Sequence, residues 1–429
     1  MRRLVCAPIV LSVLLSVALG VRLTTAVWWQ SRLPAEQPFG FSDSAGYWAL
    51  AQTIIQGEPY QYGNEDALVF RTPGYPLVLA GWWMLVGDNA AILWTRGLGA
   101  LLGTLVVGEI YWLTRILLHR RAAYWAAAVA TFYPGAVATS VFVLSEALFC
   151  PLLILQFILT VYTWRATRRS FQVTGGLSVG VLSGLATLVR PSWLLFTPLV
   201  YLLPCFLPSV RRRTILIGSS VLLGLMCTML PWWIRNYQAV GHFVPTTLQV
   251  GASLYDGWNP DATGASDMHF VTRYEHLLAQ DSSKMLESST GNREYQLDRR
   301  LQKDAWEWAK NHPQRVLQLA GAKFLRMWRW TPNADEFQNP LLHLAVATTY
   351  TPLLLLSLIG VVRFGKGSWP LACCWLPAIY FTLLHIVFVS SIRYREPAML
   401  PLMVLAAGVL ANLFPAWPAQ TIRKQSQQS

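Results

Sequence analysis

Charged residues are scarce in this sequence: only 13% of its 429 residues are charged, whereas 54% are hydrophobic. Soluble globular domains have about a quarter of their residues charged, so this composition excludes that class. Apolar runs long enough to cross a bilayer recur along the chain, which predicts a membrane protein in contact with membrane lipids. The net charge of +13 falls in short clusters between those runs. Such clusters are typical of cytoplasmic loops, so we expect no nucleic-acid partner.

Motifs for common cofactors are also missing. The six cysteines all lie in or beside apolar runs, which predicts buried hydrophobic side chains and neither a disulfide framework nor a zinc site. The seven histidines show no metal-binding spacing, and neither a Walker loop nor a Rossmann glycine fingerprint occurs. No pattern therefore requires a cofactor, and a divalent cation bound to Asp43 is left open.

The apolar runs predict an all-α polytopic membrane protein with about ten transmembrane helices. The predicted spans are 4–29, 90–118, 122–141, 145–164, 173–190, 192–208, 213–234, 341–362, 369–389 and 397–417. Basic groups such as Arg120-Arg121 and Arg211–Arg213 fall in alternate loops that contain no acidic residue. By the positive-inside rule, those loops and both termini are cytoplasmic, and the acidic loops lie outside the cell (inner) membrane.

This topology divides the chain into an N-terminal transmembrane module 1–235, with a first outer loop 30–89, and an extracytoplasmic loop domain 236–340. C-terminal helices follow at 341–417, with a cytoplasmic tail at 418–429. The loop domain is predicted to be mixed and mainly helical, with helix from about Glu294 and an interfacial helix near Lys323 and Arg326. Two short apolar stretches, Tyr47–Ile55 and Tyr75–Val86, are predicted to be juxtamembrane helices on the outer surface.

Polar residues of the first outer loop are concentrated between Phe39 and Pro76. This stretch contains Asp43 at a predicted helix start, Arg71 between aromatic and proline residues, and a carboxylate cluster. The cluster consists of Glu58, Glu65 and Asp66. Glu65 and Asp66 also fit a solvated turn, and Ser42-Asp43 also fits a helix N-cap. We interpret the stretch as the first half of an active site at the boundary between water and lipid.

Arginines on the outer side are the exceptions to the positive-inside pattern. They are Arg71, Arg190, Arg235, Arg393 and Arg395, and all but Arg71 adjoin a predicted span end. Guanidinium groups at this depth suit a lipid-linked phosphate, which they can bind with two parallel hydrogen bonds. The alternative is that they extend to lipid headgroups or pair with outer acids such as Glu396.

Acidic residues near the predicted spans also fit either a structural or a functional role. Transfer of a sugar from a lipid phosphate needs a base for the acceptor hydroxyl, and the phosphate leaving group needs no proton donor. One carboxylate, Asp43, is therefore enough, whereas glycoside hydrolases need two. Glu146 caps a helix, supports a neighbouring site residue, or contacts a substrate hydroxyl. Glu109 lies in the cytoplasmic half of a span, where we expect it to pair with a neighbouring helix.

Short motifs in a fixed order complete the pattern. They are Asp43 with Tyr47, RTPGYPLVLA at Arg71–Ala80, LSEALF at Leu144–Phe149, LVRP at Leu188–Pro191, PWWIRNY at Pro231–Tyr237 and RYREP at Arg393–Pro397. Together they resemble the GT-C superfamily of polyprenyl-phosphate-sugar glycosyltransferases. The branch that is most similar is glycosyltransferase family 39 with its relatives, the protein O-mannosyltransferases, the lipid A aminoarabinose transferase and the RgtA/B/C/D-like transferases.

The resemblance implies an inverting hexosyl- or pentosyltransferase that takes a sugar from a polyprenyl-phosphate carrier and transfers it to a glycan, lipid or protein acceptor. It implies that Asp43 is the catalytic residue. Substrate contacts are expected from residues of these motifs, namely Tyr47, Tyr75, Glu146 and Asn236. The mannosyltransferases have glutamate after the aspartate, whereas this chain has Ser44. Alternatives are a lipid-linked substrate flippase or transporter, and a polysaccharide ligase or polymerase that uses a lipid diphosphate.

Overall fold

All regular secondary structure in the described residues is helical. The structure is a computed structural model that describes residues 2–63, 66–87, 92–208, 210–284, 293–332, 339–365 and 367–414. Glu65 and the predicted tail 418–429 lie outside these residues. The all-helical class predicted from the apolar runs is confirmed.

Seven helices of the described chain are long and apolar enough to cross a membrane. They are α1 (Arg2–Gln30), α4 (Ile92–Leu117), α7 (Glu146–Arg165), α8 (Arg169–Val189), α10 (Arg211–Val240), α15 (Pro340–Phe364) and α18 (Glu396–Leu413). The 3-10 turn Ile392–Arg395 extends α18 at its start. An α-helix pairs most of its backbone groups internally, as a bilayer requires, although α7, α10, α15 and α18 each contain one internal proline that lacks the N–H.

Three other predicted spans are interrupted helices, and proline lies in or beside each interruption. The segment 122–141 is divided at Pro134 into α5 (Arg120–Phe132) and α6 (Pro134–Val141). The segment 192–208 contains α9 (Phe196–Leu202) between two 3-10 turns, and 369–389 contains α16 (Trp369–Ala372) and α17 (Leu376–Val387). Proline lacks the N–H of a helical hydrogen bond and disfavours helical geometry at the residue before it. Hydropathy alone could not detect these breaks.

The two short apolar stretches of the first outer loop form helices, as predicted. They are α2 (Ser42–Gln56) and α3 (Gly74–Val86). Helix α2 buries Tyr47, Leu50 and Ala51 and ends at Gly57, whose φ of 70° favours glycine. Helix α3 begins in close contact with α8. The two backbones approach so closely that a Cβ on Gly74 would lie 2.6 Å from the carbonyl oxygen of Leu188. Their position along a membrane surface stays a prediction.

Four helices lie wholly within the described residues of the predicted loop domain. They are α11 (Val250–Gly257), α12 (Phe270–Lys284), α13 (Arg293–Asn311) and α14 (Pro313–Met327). The helix predicted from about Glu294 is therefore confirmed. Helices α11 and α12 had not been predicted individually. Helix α13 packs on α11, and α14 packs on α17 and on the 3-10 turn before α18. The domain thus contacts the transmembrane part close to Arg393.

Candidate active site

Asp43 lies in the first turn of α2, but it does not cap the helix. The N-cap position is Phe41, and no side chain caps this helix end. The Asp43 carboxylate instead accepts two charge-assisted hydrogen bonds. Arg71 Nη2 donates to Oδ1 at 2.6 Å, and Arg393 Nη1 donates to Oδ2 at 2.9 Å. Arg71 is 28 positions from Asp43 in the same loop, whereas Arg393 is 350 positions away, so only tertiary structure places Arg393 at the positive end of α2.

Arg71 is surrounded by aromatic rings. Its guanidinium carbon lies 4.8 Å from the ring centroid of Tyr47, 5.2 Å from that of Tyr62 and 5.7 Å from that of Phe70. Its Nη1 also donates to the Tyr47 hydroxyl at 3.3 Å. Tyr62 packs directly on Gly46, where a Cβ would lie 2.5 Å from the tyrosine ring. These contacts orient the guanidinium group toward Asp43.

Glu146 joins two further arginines at the start of α7. Arg393 binds its carboxylate with two parallel hydrogen bonds, from Nε to Oε1 and from Nη2 to Oε2, the latter at 3.0 Å. Arg190 Nη1 approaches Oε1 at 2.6 Å. The Glu146 side chain is only 1% exposed. A bidentate arginine on a buried carboxylate is held in a defined orientation, so Glu146 fixes the plane of the Arg393 guanidinium.

Asp43, Arg71, Glu146, Arg190 and Arg393 thus form one continuous network, here called the charge cluster. Three cations and two anions give the cluster a net charge of +1. Its members differ in access to solvent: the Asp43 side chain is 34% exposed, whereas Glu146 is buried. A partly buried cluster with excess positive charge suits an anionic ligand that approaches from the Asp43 side.

Asp43 is ionised in this arrangement. Burial raises the pKa of its carboxyl group, but the charges and hydrogen bonds of Arg393 and Arg71 outweigh burial and bring the pKa well below its ordinary value. A carboxylate in this state is a weak base. It becomes a stronger base when an arginine turns to another anion, because the charge that lowers its pKa is then shared.

The other predicted substrate residues lie at different distances from the cluster. Tyr47 and Tyr75 are buried beside it, with their rings in edge contact at 5.1 Å. Arg235 and Asn236, near the end of α10, donate hydrogen bonds to backbone carbonyls and not to residues of the cluster. Arg235 Nη2 donates to the Tyr60 carbonyl at 2.9 Å, and Asn236 Nδ2 donates to that of Val244 at 3.1 Å. The structure does not bring Arg235 and Asn236 into the charge cluster.

Arg395 is also separate from the cluster, although it lies only two residues after Arg393. It is fully buried, and its guanidinium carbon lies 3.6 Å from the ring centroid of Tyr350. It donates to the carbonyl oxygens of Met327 and Arg329 and to the carboxylate of Glu396. These contacts fit a structural role, and the geometry does not favour the predicted phosphate contact.

Two residues that the sequence analysis missed support the loop before Asp43. Arg96 is buried in α4, and it donates to Gln30 Oε1 at 2.8 Å and to the Val141 carbonyl at 2.9 Å. Gln30 in turn donates to the Pro38 carbonyl at 3.2 Å, just ahead of α2. A charged residue inside a predicted span was the signal that could have found Arg96.

The remaining acidic candidates are not part of the cluster. Among the described residues, Glu109 forms no ion pair and its Oε2 atom is buried without a hydrogen-bond partner, so the pairing predicted for it is not found. Glu58 is exposed, and Asp66 approaches Arg293 at 3.6 Å. The Asp66 side chain is 54% exposed and lies in a turn, which agrees with the predicted solvated turn.

The charge cluster also bears on metal binding. Within the described part of the chain, no three His, Cys, Asp or Glu side chains gather in a metal-binding arrangement. Both carboxylate oxygens of Asp43 accept hydrogen bonds from arginine. A divalent cation at Asp43 would therefore have to displace a guanidinium group, and its presence stays an open prediction.

Glu294 connects the loop domain to the segment that carries Arg71. Its Oε2 accepts hydrogen bonds from the backbone N–H groups of Leu68 and Val69, both at 2.9 Å. Burial raises the pKa of Glu294 to about 7, although these two N–H groups lower it. Its folded-state pKa thus exceeds the ordinary value of 4.5. The contribution of Glu294 to the free energy of unfolding is therefore fully present below pH 4.5 and is lost as the pH rises through 7.

Glu294→Gln should remove this pH dependence, because an amide oxygen can accept the same bonds without ionising. We expect the wild-type protein to lose up to about 3 kcal/mol of stability between about pH 5 and pH 8, and the variant to lose much less. Thermal unfolding of the purified protein across this range measures the difference. Glu307→Gln, at an exposed acid of the same helix, is the control. Parallel profiles for wild type and Glu294→Gln would contradict the prediction.

Solved structures with a similar fold include membrane glycosyltransferases. The crystal structure of the Archaeoglobus fulgidus oligosaccharyltransferase in the apo form matches with a TM-score of 0.59 and 14% identity, over 94% of this chain and 51% of that chain. AglB from Archaeoglobus fulgidus was solved in complex with an inhibitory peptide and a dolichol-phosphate. It matches with a TM-score of 0.57 and 14% identity, over 97% of this chain and 53% of that chain. This chain spans about half the length of those oligosaccharyltransferases.

A third solved structure is less similar to this chain. ArnT from Cupriavidus metallidurans bound to undecaprenyl phosphate matches at 13% identity over 94% of this chain and 77% of that chain, with a TM-score of 0.44. No family model and no curated protein matches the sequence.

The matches to the two oligosaccharyltransferase structures confirm the predicted fold class. This chain has a GT-C-like, all-helical membrane fold. At 14% identity, the likeness establishes the fold alone.

Proposed function

We propose that this protein is a glycosyltransferase that moves a sugar from a polyprenyl-phosphate carrier to an extracytoplasmic acceptor. The charge cluster carries this proposal, because it places a carboxylate beside guanidinium groups at an accessible position in a membrane fold. The similar AglB structure, solved with a dolichol-phosphate, supports a lipid-phosphate ligand. The acceptor is a glycan, a lipid or a protein, and the active site faces away from the cytoplasm.

The charge of the cluster favours a monophosphate carrier. A sugar-phosphate diester carries one negative charge, which balances the cluster charge of +1. Transfer leaves a phosphate monoester with close to two negative charges near neutral pH. Asp43 becomes neutral when it takes the acceptor proton, so the total charge again balances. A diphosphate carrier would bring excess negative charge, and this argues against the ligase or polymerase alternative.

In the proposed mechanism, Arg71 and Arg393 bind the donor phosphate, and Arg190 with Glu146 holds Arg393 in place. The arginines then share their charge between phosphate and Asp43, which raises the pKa of Asp43 and allows it to take the proton of the acceptor hydroxyl. The acceptor oxygen attacks the anomeric carbon as the bond from that carbon to the phosphate oxygen breaks. Attack on the opposite face inverts the configuration. The guanidinium groups stabilise the growing phosphate charge.

An apolar groove suits the lipid part of the donor. It is a cavity of about 380 Å³ between α9 and α10. Leu195, Leu199, Gly218 and Leu222 are among its lining residues. Leu195 follows Arg190 in the chain, whereas the α10 side of the groove follows Arg211–Arg213 of the predicted cytoplasmic loop, so the groove leads away from the charge cluster into the membrane. We assign this groove to isoprene units remote from the phosphate, and Tyr47 and Tyr75 to contacts with the sugar.

The test is an assay with purified protein and synthetic donors in liposomes. We expect transfer from a polyprenyl-phosphate sugar, and none from the matching polyprenyl-diphosphate sugar or from a nucleotide sugar. Comparing cell-envelope glycans and glycoproteins by mass spectrometry, with and without the gene, identifies the sugar and the acceptor. Movement of an intact lipid-linked sugar between leaflets, with no transfer, would favour the flippase alternative and contradict the proposal.

A further inference from the structure

The segment Val387–Ser391 presents Arg393 to the charge cluster. It begins at the last residue of α17 and leads directly into the 3-10 turn Ile392–Arg395. Arg393 makes its three carboxylate contacts from this turn. Two of its carbonyl groups, those of Val387 and Ser390, accept hydrogen bonds from cations of the extracytoplasmic loop domain, more than 60 residues away in the chain.

Lys323 on α14 makes the most buried of these contacts. Its side chain is fully buried, and Nζ donates to the carbonyl of Gly257 at 2.9 Å and to that of Val387 at 2.8 Å. Gly257 and Val387 are the last residues of α11 and α17, where helix carbonyls lack internal partners and carry partial negative charge. One ammonium group therefore joins the ends of two helices. An apolar side chain would fill this space without the cost of burying a charge.

Arg326 makes a parallel contact one turn further along the same face of α14. Its Nε donates to the carbonyl of Ser390 at 2.9 Å. The N–H of Ser390 donates in turn to the carbonyl of Gly264, in the loop domain, at 3.0 Å. The loop domain thus holds the segment at Val387 and at Ser390, close to both of its ends.

We propose that Lys323 and Arg326 are positioning residues for Arg393. This inference rests on the proposed function, in which Arg393 binds the donor phosphate. Small errors in position are costly in such a site, since a displacement of about 1 Å can reduce the rate by about 10²-fold. Lys323 and Arg326 act through the backbone of Val387 and Ser390, and neither is required to touch the substrate. The loop domain thereby sets the geometry of the donor site in addition to any role in acceptor binding.

The test is a double-mutant cycle between Lys323→Met and Arg393→Lys, with the Michaelis constant for the donor as the readout. We expect Lys323→Met to raise the donor KM by about tenfold or more, with a smaller change in kcat. In the Arg393→Lys background the same substitution should have little further effect, because the group that it positions is already altered. Independent effects that multiply in the double variant would overturn the inference.

Controls separate this inference from the proposed function. Arg329→Gln, at an exposed arginine just after α14, should leave the donor KM unchanged. If Arg393→Lys itself leaves the donor KM unchanged, the proposed function fails, whatever Lys323 does. If Lys323→Met does not fold, Arg326→Gln replaces it in the same cycle, because Arg326 is only partly buried. A multiplicative result with Arg326→Gln would equally overturn the inference.

Discussion

Asp43→Asn is expected to reduce the turnover number for sugar transfer by about 10³-fold or more. The amide keeps the size of the side chain and can still accept a hydrogen bond from Arg71 or Arg393, but it cannot take the acceptor proton. General bases contribute about 10²–10⁴-fold to enzymatic rates. The measurement is kcat with saturating donor and acceptor, on purified protein with unchanged thermal unfolding.

The donor affinity of this variant separates catalysis from binding. Removing the carboxylate leaves the cluster with three cations and one anion. The donor dissociation constant should therefore be unchanged or lower in Asp43→Asn. Glu58→Gln, at an exposed acid of the same loop, is the matched control and should keep full turnover. Wild-type turnover in Asp43→Asn would remove this residue from the mechanism.

Arg393→Lys is expected to lower kcat/KM for the donor by about 10²-fold or more. Lysine preserves the positive charge but cannot make the two parallel bonds to Glu146 while also reaching Asp43. Loss of one partner from a buried, hydrogen-bonded ion pair costs several kcal/mol, much of it from the carboxylate left without its partner. The measurement is a donor titration at fixed acceptor concentration, together with direct donor binding.

Arg395→Lys is the matched control, since both arginines belong to the same motif. Its guanidinium stacks on Tyr350 and binds backbone carbonyls. We expect this variant to unfold at a lower temperature while the folded protein keeps its donor KM. If Arg393→Lys and Arg395→Lys show the same loss of donor affinity, membership of the charge cluster does not determine donor binding. The proposed site is then wrong.

Much of the fold could be predicted from the sequence, because the information is local. A run of apolar residues indicates a span wherever it occurs, and Gly57 indicates the end of α2 by its backbone freedom. The prolines that interrupt three spans were visible as well, but hydropathy averages over them. Arg190 follows the last residue of α8 and Arg393 lies in the 3-10 turn before α18, and the packing of the helices brings both into contact with Glu146.

The candidate site could be predicted only as a set of residue types on one side of the membrane. Outer arginines were recognised as exceptions to the charge pattern, and three of the five belong to the charge cluster. The other two, Arg235 and Arg395, bind backbone carbonyls. Their local sequences resemble those of the cluster arginines, so nothing nearby in the chain could distinguish the two groups.

Sequence alone determined that this protein is a helical membrane protein in which basic clusters and acidic loops alternate along the chain, because hydropathy and charge act over short stretches. Tertiary structure alone decided which charges meet. Asp43 and Arg393 are 350 positions apart, and Lys323 and Val387 are 64 positions apart. An ion pair depends on the distance between atoms in space, and only the packing of the helices sets that distance.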